Sequence, residues 1–104
     1  MESQVELFGF GKPTIAEQFR RFHGEHPEVY EELVSLARQA KKARRQVGIG
    51  LIFEVLRWNR IIAGLPDTNE EFKLNNNYRS RYARLIMRRE SDLSDFFETR
   101  RLRS

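Results

Sequence analysis

Asn77, Ser80, Arg81, Arg84 and Arg88 are the residues of this chain whose types and spacing could do specific chemistry. On a helix turning about 100° per residue, Asn77, Arg81, Arg84 and Arg88 gather on one arc with Ser80 at its edge. Tyr78, Tyr82, Leu85 and Ile86 share another arc, fit for docking on a core. An arginine fork matches guanine O6 and N7, and it matches phosphate oxygens equally well. Asparagine can pair with adenine, and a helix N-terminus favours phosphate. Such a helix has the makings of a DNA reader working in the major groove. The competing reading is an ordinary solvated amphipathic helix whose arginines make surface ion pairs. Arg84 and Arg88 lie four residues apart with no acidic residue on their arc, so they repel mildly. That detail tilts the reading toward an external anion.

Supporting cations lie in two further places. Arg44 and Arg45 follow a long helical stretch, where the helix dipole favours positive charge in any case. Arg100, Arg101 and Arg103 lie near the C-terminus. The net charge of +4 hides an alternation: residues 38–60 carry seven basic groups against Glu54, and residues 79–104 carry eight arginines against four acids. Residues 1–37 and 61–78 are acidic on balance. Two basic blocks between neutralising ones imply one face that attracts polyanions and another that does not. Fifteen arginines against four lysines fit phosphate recognition, although codon usage in a GC-rich genome gives the same bias.

Catalysis has little support, and no catalytic residue, cofactor or metal site is expected. Gly9-Phe10-Gly11-Lys12-Pro13-Thr14 lacks the spacing of a phosphate loop and puts Pro13 where the magnesium-binding hydroxyl belongs. His23 and His26 would bind zinc only with further ligands that the sequence does not place, so they read as helix-terminal residues. No carboxylate pair suggests acid–base work, and no nucleophile motif surrounds Ser35 or Ser80. Zero cysteines exclude disulfides and thiolate chemistry. Trp58, Phe53, Tyr30, Phe96 and Phe97 could stack on bases, but their spacing beside Leu and Ile reads as core.

The elements that must position these residues are mainly helical. Residues 1–13 read as an N-terminal arm, and residues 14–104 as a single domain. Thr14-Ile15-Ala16-Glu17 is a capping box opening a first helix, with Ile15, Phe19 and Phe22 on one face and Gly24 as its stop. Pro27 opens a second helix running to about Arg45, with an apolar stripe from Val29 to Ala40. A third spans about Ile49–Ala63, and so many of its positions are apolar that it reads as the central helix, buried on more than one side. Gly64 and Pro66 end it. After a polar connection, Asn75–Asn77 cap a fourth helix from about Asn77 to Glu90. Residues 98–104 read as strand or as helix. The strand reading makes the domain winged-helix-like, with a small sheet supplied by residues 96–104. A plain helix-turn-helix does not fit, because the connection before the fourth helix is about a dozen residues long rather than three or four.

Phe72-Lys73-Leu74-Asn75-Asn76-Asn77-Tyr78-Arg79-Ser80-Arg81-Tyr82-Ala83-Arg84-Leu85-Ile86-Met87 and Phe96-Phe97-Glu98-Thr99-Arg100 resemble segments of a group of small bacterial and phage-borne proteins. Leu51-Ile52-Phe53-Glu54-Val55-Leu56-Arg57-Trp58 fits the same group, and the likeness covers about residues 14–103. The group has no established activity, so the resemblance implies a bacterial or phage setting and assigns no site. The combined expectation is a cytoplasmic, non-enzymatic DNA-binding module with a regulatory or accessory role. Its partner would be nucleic acid, double-stranded DNA first. The alternative is a protein–protein adaptor or inhibitor whose basic face docks on an acidic host protein surface. No apolar run approaches the length of a membrane span, so no membrane partner is expected. A homodimer is open, with Phe8 and Phe10 in the arm as candidates for its patch.

Overall fold

The computed structural model describes residues 12–65 and 74–97 of the chain. Four helices make up the frame: α1 (Ile15–Glu25), α2 (Pro27–Lys42), α3 (Ile49–Ile62) and α4 (Arg79–Arg89). Single 3-10 turns at Asn76–Tyr78 and Ser91–Leu93 bracket α4.

Helix α1 starts where the capping box places it. The Glu17 amide donates to Thr14 Oγ1 at 3.1 Å, and the Thr14 amide donates to Glu17 Oε1 at 2.9 Å. Gly24, however, is helical rather than the stop. The helix runs one residue further to Glu25, and His26 serves both as its C-cap and as the N-cap of α2. Pro27 makes this junction sharp, since its fixed φ suits the first turn of a new helix.

Helix α2 ends at Lys42, three residues earlier than the sequence expectation. The Arg45 amide donates back to the Ala40 carbonyl at 2.8 Å and the Arg44 amide to the Lys41 carbonyl at 2.9 Å, which is a Schellman closure. It puts Arg44 in the left-handed region at φ 62°. Helix α3 closes in the same way, with Gly64 at φ 73° and the Leu65 amide donating to the Arg60 carbonyl at 2.8 Å.

All four helices contribute to one core. Phe19 and Phe22 enter from α1, Val29, Leu33 and Ala37 from α2, Ile52, Phe53 and Leu56 from α3, and Tyr82, Ala83 and Ile86 from α4. Leu74, Tyr78, Leu93, Phe96 and Phe97 close it from the flanking turns. Fully burying a side chain such as Leu33 or Phe53 stabilises the fold by about 1.5–3 kcal/mol. Helix α3 departs from the expectation of a central helix. Ile52, Phe53 and Leu56 are buried, but Leu51, Trp58, Ile61 and Ile62 on its other side are more than half exposed. The apolar excess that suggested burial all round is an uncovered face, and Trp58 is not a core residue.

Among the described residues there is no β-strand, so the small sheet of a winged helix has no counterpart there. Phe96 and Phe97 are both buried and pack edge to face, with ring centroids 5.0 Å apart. Two consecutive buried side chains do not fit the alternation of a one-sided strand. The rest of the proposed wing, residues 98–104, and the arm residues 1–11 with Phe8 and Phe10 lie outside the described residues. No helix among the described residues is long and apolar enough to cross a membrane.

Candidate nucleic-acid interface

Helix α4 docks as its two arcs dictate. Tyr78, Tyr82, Leu85 and Ile86 are buried. Tyr82 meets Phe19 edge to face at 4.8 Å and Phe53 at 5.9 Å, which fixes α4 against both α1 and α3. That rotation turns Arg81, Arg84 and Arg88 toward α1. Together with Arg20 they line a groove of about 260 Å³, whose apolar lining is Ala16, Phe19 and Leu85.

Among the described residues the lining of this groove holds four guanidinium groups and no carboxylate. The nearest acid in the α1 sequence, Glu17, is committed to the capping box. Among the described residues no ion pair engages Arg20, Arg81 or Arg88. Arg81 and Arg84 are half-buried and Arg88 is exposed, so the charge runs from the inside of the groove to its rim. Arginines held on a partly apolar surface can meet an anion with little further loss of side-chain freedom.

The other two arginines of α4 have internal work. Arg79 lies over the Phe53 ring at 5.9 Å and reaches Glu54 at 3.4 Å, tying α4 to α3. Arg89 lies over the Tyr30 ring at 5.5 Å, tying α4 to α2.

Asn77 and Ser80 do not join the groove. Asn77 sits in the 3-10 turn before α4 with its amide donating to Asn75 Oδ1 at 2.8 Å, and its side chain is exposed. Ser80 is half-buried in the first turn of α4. Arg44 and Arg45 line a different groove of about 310 Å³, with Lys41, Gln46, Asp95 and Phe96. Asp95 places a carboxylate among those cations, which weakens it as an anion site. Arg38, the first cation of that block, is forked onto Asp92, and Lys41 donates to the Asp92 carbonyl. Arg100, Arg101 and Arg103 lie outside the described residues.

Arg20 is the member that sequence reading missed. It follows Phe19 directly and flanks the Ile15/Phe19/Phe22 stripe, a position from which a long cation borders whatever packs on that stripe. Its signal was available once α1 was paired with α4, and helical periodicity alone does not give the pairing.

Beneath the groove, His23 stacks on Phe19 with centroids 5.9 Å apart and planes 7° from parallel. Burial, and secondarily the charge of Arg89, holds its imidazole below the ordinary histidine pKa. His23 is therefore a packed aromatic, and His26 pairs with Glu28 at 3.5 Å. Among the described residues no three His, Asp or Glu side chains gather as a metal site.

What the arrangement offers chemically is a cradle for phosphate oxygens. A base-reading helix must project its polar arc into a major groove about 12 Å wide. Here residues of α1 line one groove with that arc, and Arg81 and Arg84 are half-buried. No protein-family model, curated protein or solved structure matches the chain.

Proposed function

We propose that this protein is a non-enzymatic nucleic-acid-binding module that grips the phosphate backbone of duplex DNA in the groove between α1 and α4. The observation that carries the reading is the convergence of Arg20, Arg81, Arg84 and Arg88 on one partly apolar groove, with no ion pair to Arg20, Arg81 or Arg88 among the described residues. Phosphate contacts position a protein on DNA without reading sequence. With Asn77 and Ser80 outside the groove, sequence preference is expected to be weak. A regulatory or accessory role in a bacterium or phage, inside the cytoplasm, belongs to the same proposal and rests on the resemblance given above.

The test is fluorescence anisotropy of a labelled random duplex titrated at several salt concentrations. About three phosphates engaged gives a slope of log affinity against log salt near −3. Arg20→Ala and Arg88→Ala should each weaken binding and make that slope shallower by about one. Unchanged affinity and slope in both variants would overturn the assignment of the groove. No binding by the wild type near 50 mM salt, a permissive condition, would overturn the DNA reading and favour an acidic protein surface as the partner.

A further inference from the structure

The outer face of α3 is apolar and uncovered among the described residues. Leu51, Val55, Trp58 and Ile62 follow one another at intervals of four, three and four, the spacing of a coiled-coil seam, and Leu65 continues the patch just past the helix end. Four of them are 51–67% exposed, and Val55 is half-buried between them. Ile61, 54% exposed, borders the seam. At about 100° per residue this stripe lies nearly opposite Ile52, Phe53 and Leu56, so the core that anchors α3 cannot also cover it.

No charged side chain interrupts the stripe. The charges on its flank are already used: Arg57 bonds Glu54 at 2.7 Å, the Leu74 carbonyl at 3.0 Å and Asn76 Oδ1 at 2.6 Å. Glu54 also takes Arg79. On the other flank, Asn59 donates to Glu32 at 3.1 Å. Among the described residues, a partner approaching the stripe therefore meets no unpaired flanking charge to desolvate or to attract an acidic surface.

We infer that the occupant of this face is a second copy of the chain, packed α3 against α3 about a two-fold axis. Area supports the choice. The five exposed side chains present on the order of 500 Å², near the upper end for the largest apolar patch of a monomer. Two such patches facing each other bury about 1,000 Å², the level at which an interface becomes specific. A seam with heptad spacing is complementary to its own copy, as an isologous contact requires. Trp58, near the middle of the seam, is the expected anchor. The inference stands apart from the DNA reading, because none of its residues lines the arginine groove.

Trp58 is the only tryptophan, so its emission reports directly on this face. Sedimentation of the full chain over a range of concentrations is expected to show a species of twice 12.4 kDa that dissociates on dilution, with Trp58 emission moving to longer wavelength as it does. Trp58→Glu and, separately, Ile62→Glu should raise the dissociation constant at least about tenfold. Both positions are mostly exposed, so helicity by circular dichroism should be unchanged. A wild type that remains monomeric up to about 100 μM, well above the micromolar range of an ordinary interface, overturns the inference. So does a dimer that survives both substitutions, which would place the contact elsewhere.

Discussion

Arg38 and Asp92 form a two-point fork: Nε donates to Oδ2 at 2.9 Å and Nη2 to Oδ1 at 3.0 Å. The same Nη2 reaches Glu90 Oε1 at 2.9 Å, and Tyr30 donates to Glu90 Oε2 at 2.8 Å. Hydrogen bonding from Arg38 holds the Asp92 carboxyl below the usual carboxylate range. Glu90 and Asp92 follow α4, so these bonds fasten its end along α2. The fork also explains why the first basic block is weaker than its composition suggests: its leading arginine is used internally.

His23 gives the fold a pH dependence near neutrality. Burial lowers its pKa in the folded state below the value of 6.5 expected when unfolded. Between those two values the unfolded chain binds the additional proton, so stability rises with pH there. The contribution is complete above pH 6.5 and declines as pH falls toward the folded-state value. Thermal unfolding at a series of pH values should show this decline, and His23→Phe should flatten it. Parallel profiles for wild type and variant would mean that His23 has no part in it.

Tyr82 is fully buried, and its hydroxyl has no hydrogen-bond partner among the described residues. Burial pushes its ionisation well above the usual tyrosine value, as a hydroxyl in apolar surroundings should behave. An unsatisfied buried polar group costs about 1–3 kcal/mol. Tyr82→Phe keeps the ring contacts with Phe19, His23 and Phe53, so it should raise stability by roughly 1 kcal/mol in chemical denaturation. A loss of stability would show that the hydroxyl does have a partner in solution.

The two Schellman closures make a controlled pair. Arg44 holds a left-handed conformation that costs an L-residue with a side chain about 1 kcal/mol, whereas Gly64 holds a similar one freely. Arg44→Gly should therefore stabilise the protein by about 1 kcal/mol. Gly64→Ala should destabilise it by a similar amount. A Cβ at Gly64 meets nothing within 4 Å, so its effect is conformational and not steric crowding. Urea titrations of both variants would check the opposite signs.

Local signals carried much of this architecture. The capping box at Thr14, the proline at Pro27, the α2 stripe and the docking arc of α4 each depend on residues within a turn or two, and each stands where the sequence puts it. What sequence left open depends on contacts between helices. Apolar spacing in α3 gives two faces without saying that only one finds a partner within the chain. Nothing in Arg44 signals a left-handed residue, because arginine is not a residue that favours it. Arg20 became a site candidate only through the pairing of α1 with α4. Asn77 dropped out because it sits in the 3-10 turn before α4, and Ser80 because, although in the first turn of α4, it stands at the edge of the arginine arc and outside the groove lining.

The arginine groove ties ionic strength to two opposite effects. Arg20, Arg81 and Arg88 share one groove with no ion pair among the described residues, so their like charges repel, and dissolved salt screens that repulsion. Added salt should therefore firm the unliganded fold while it releases a bound polyanion. On the proposed reading, the fold would be most dependent on a bound polyanion under the dilute conditions in which it binds one best.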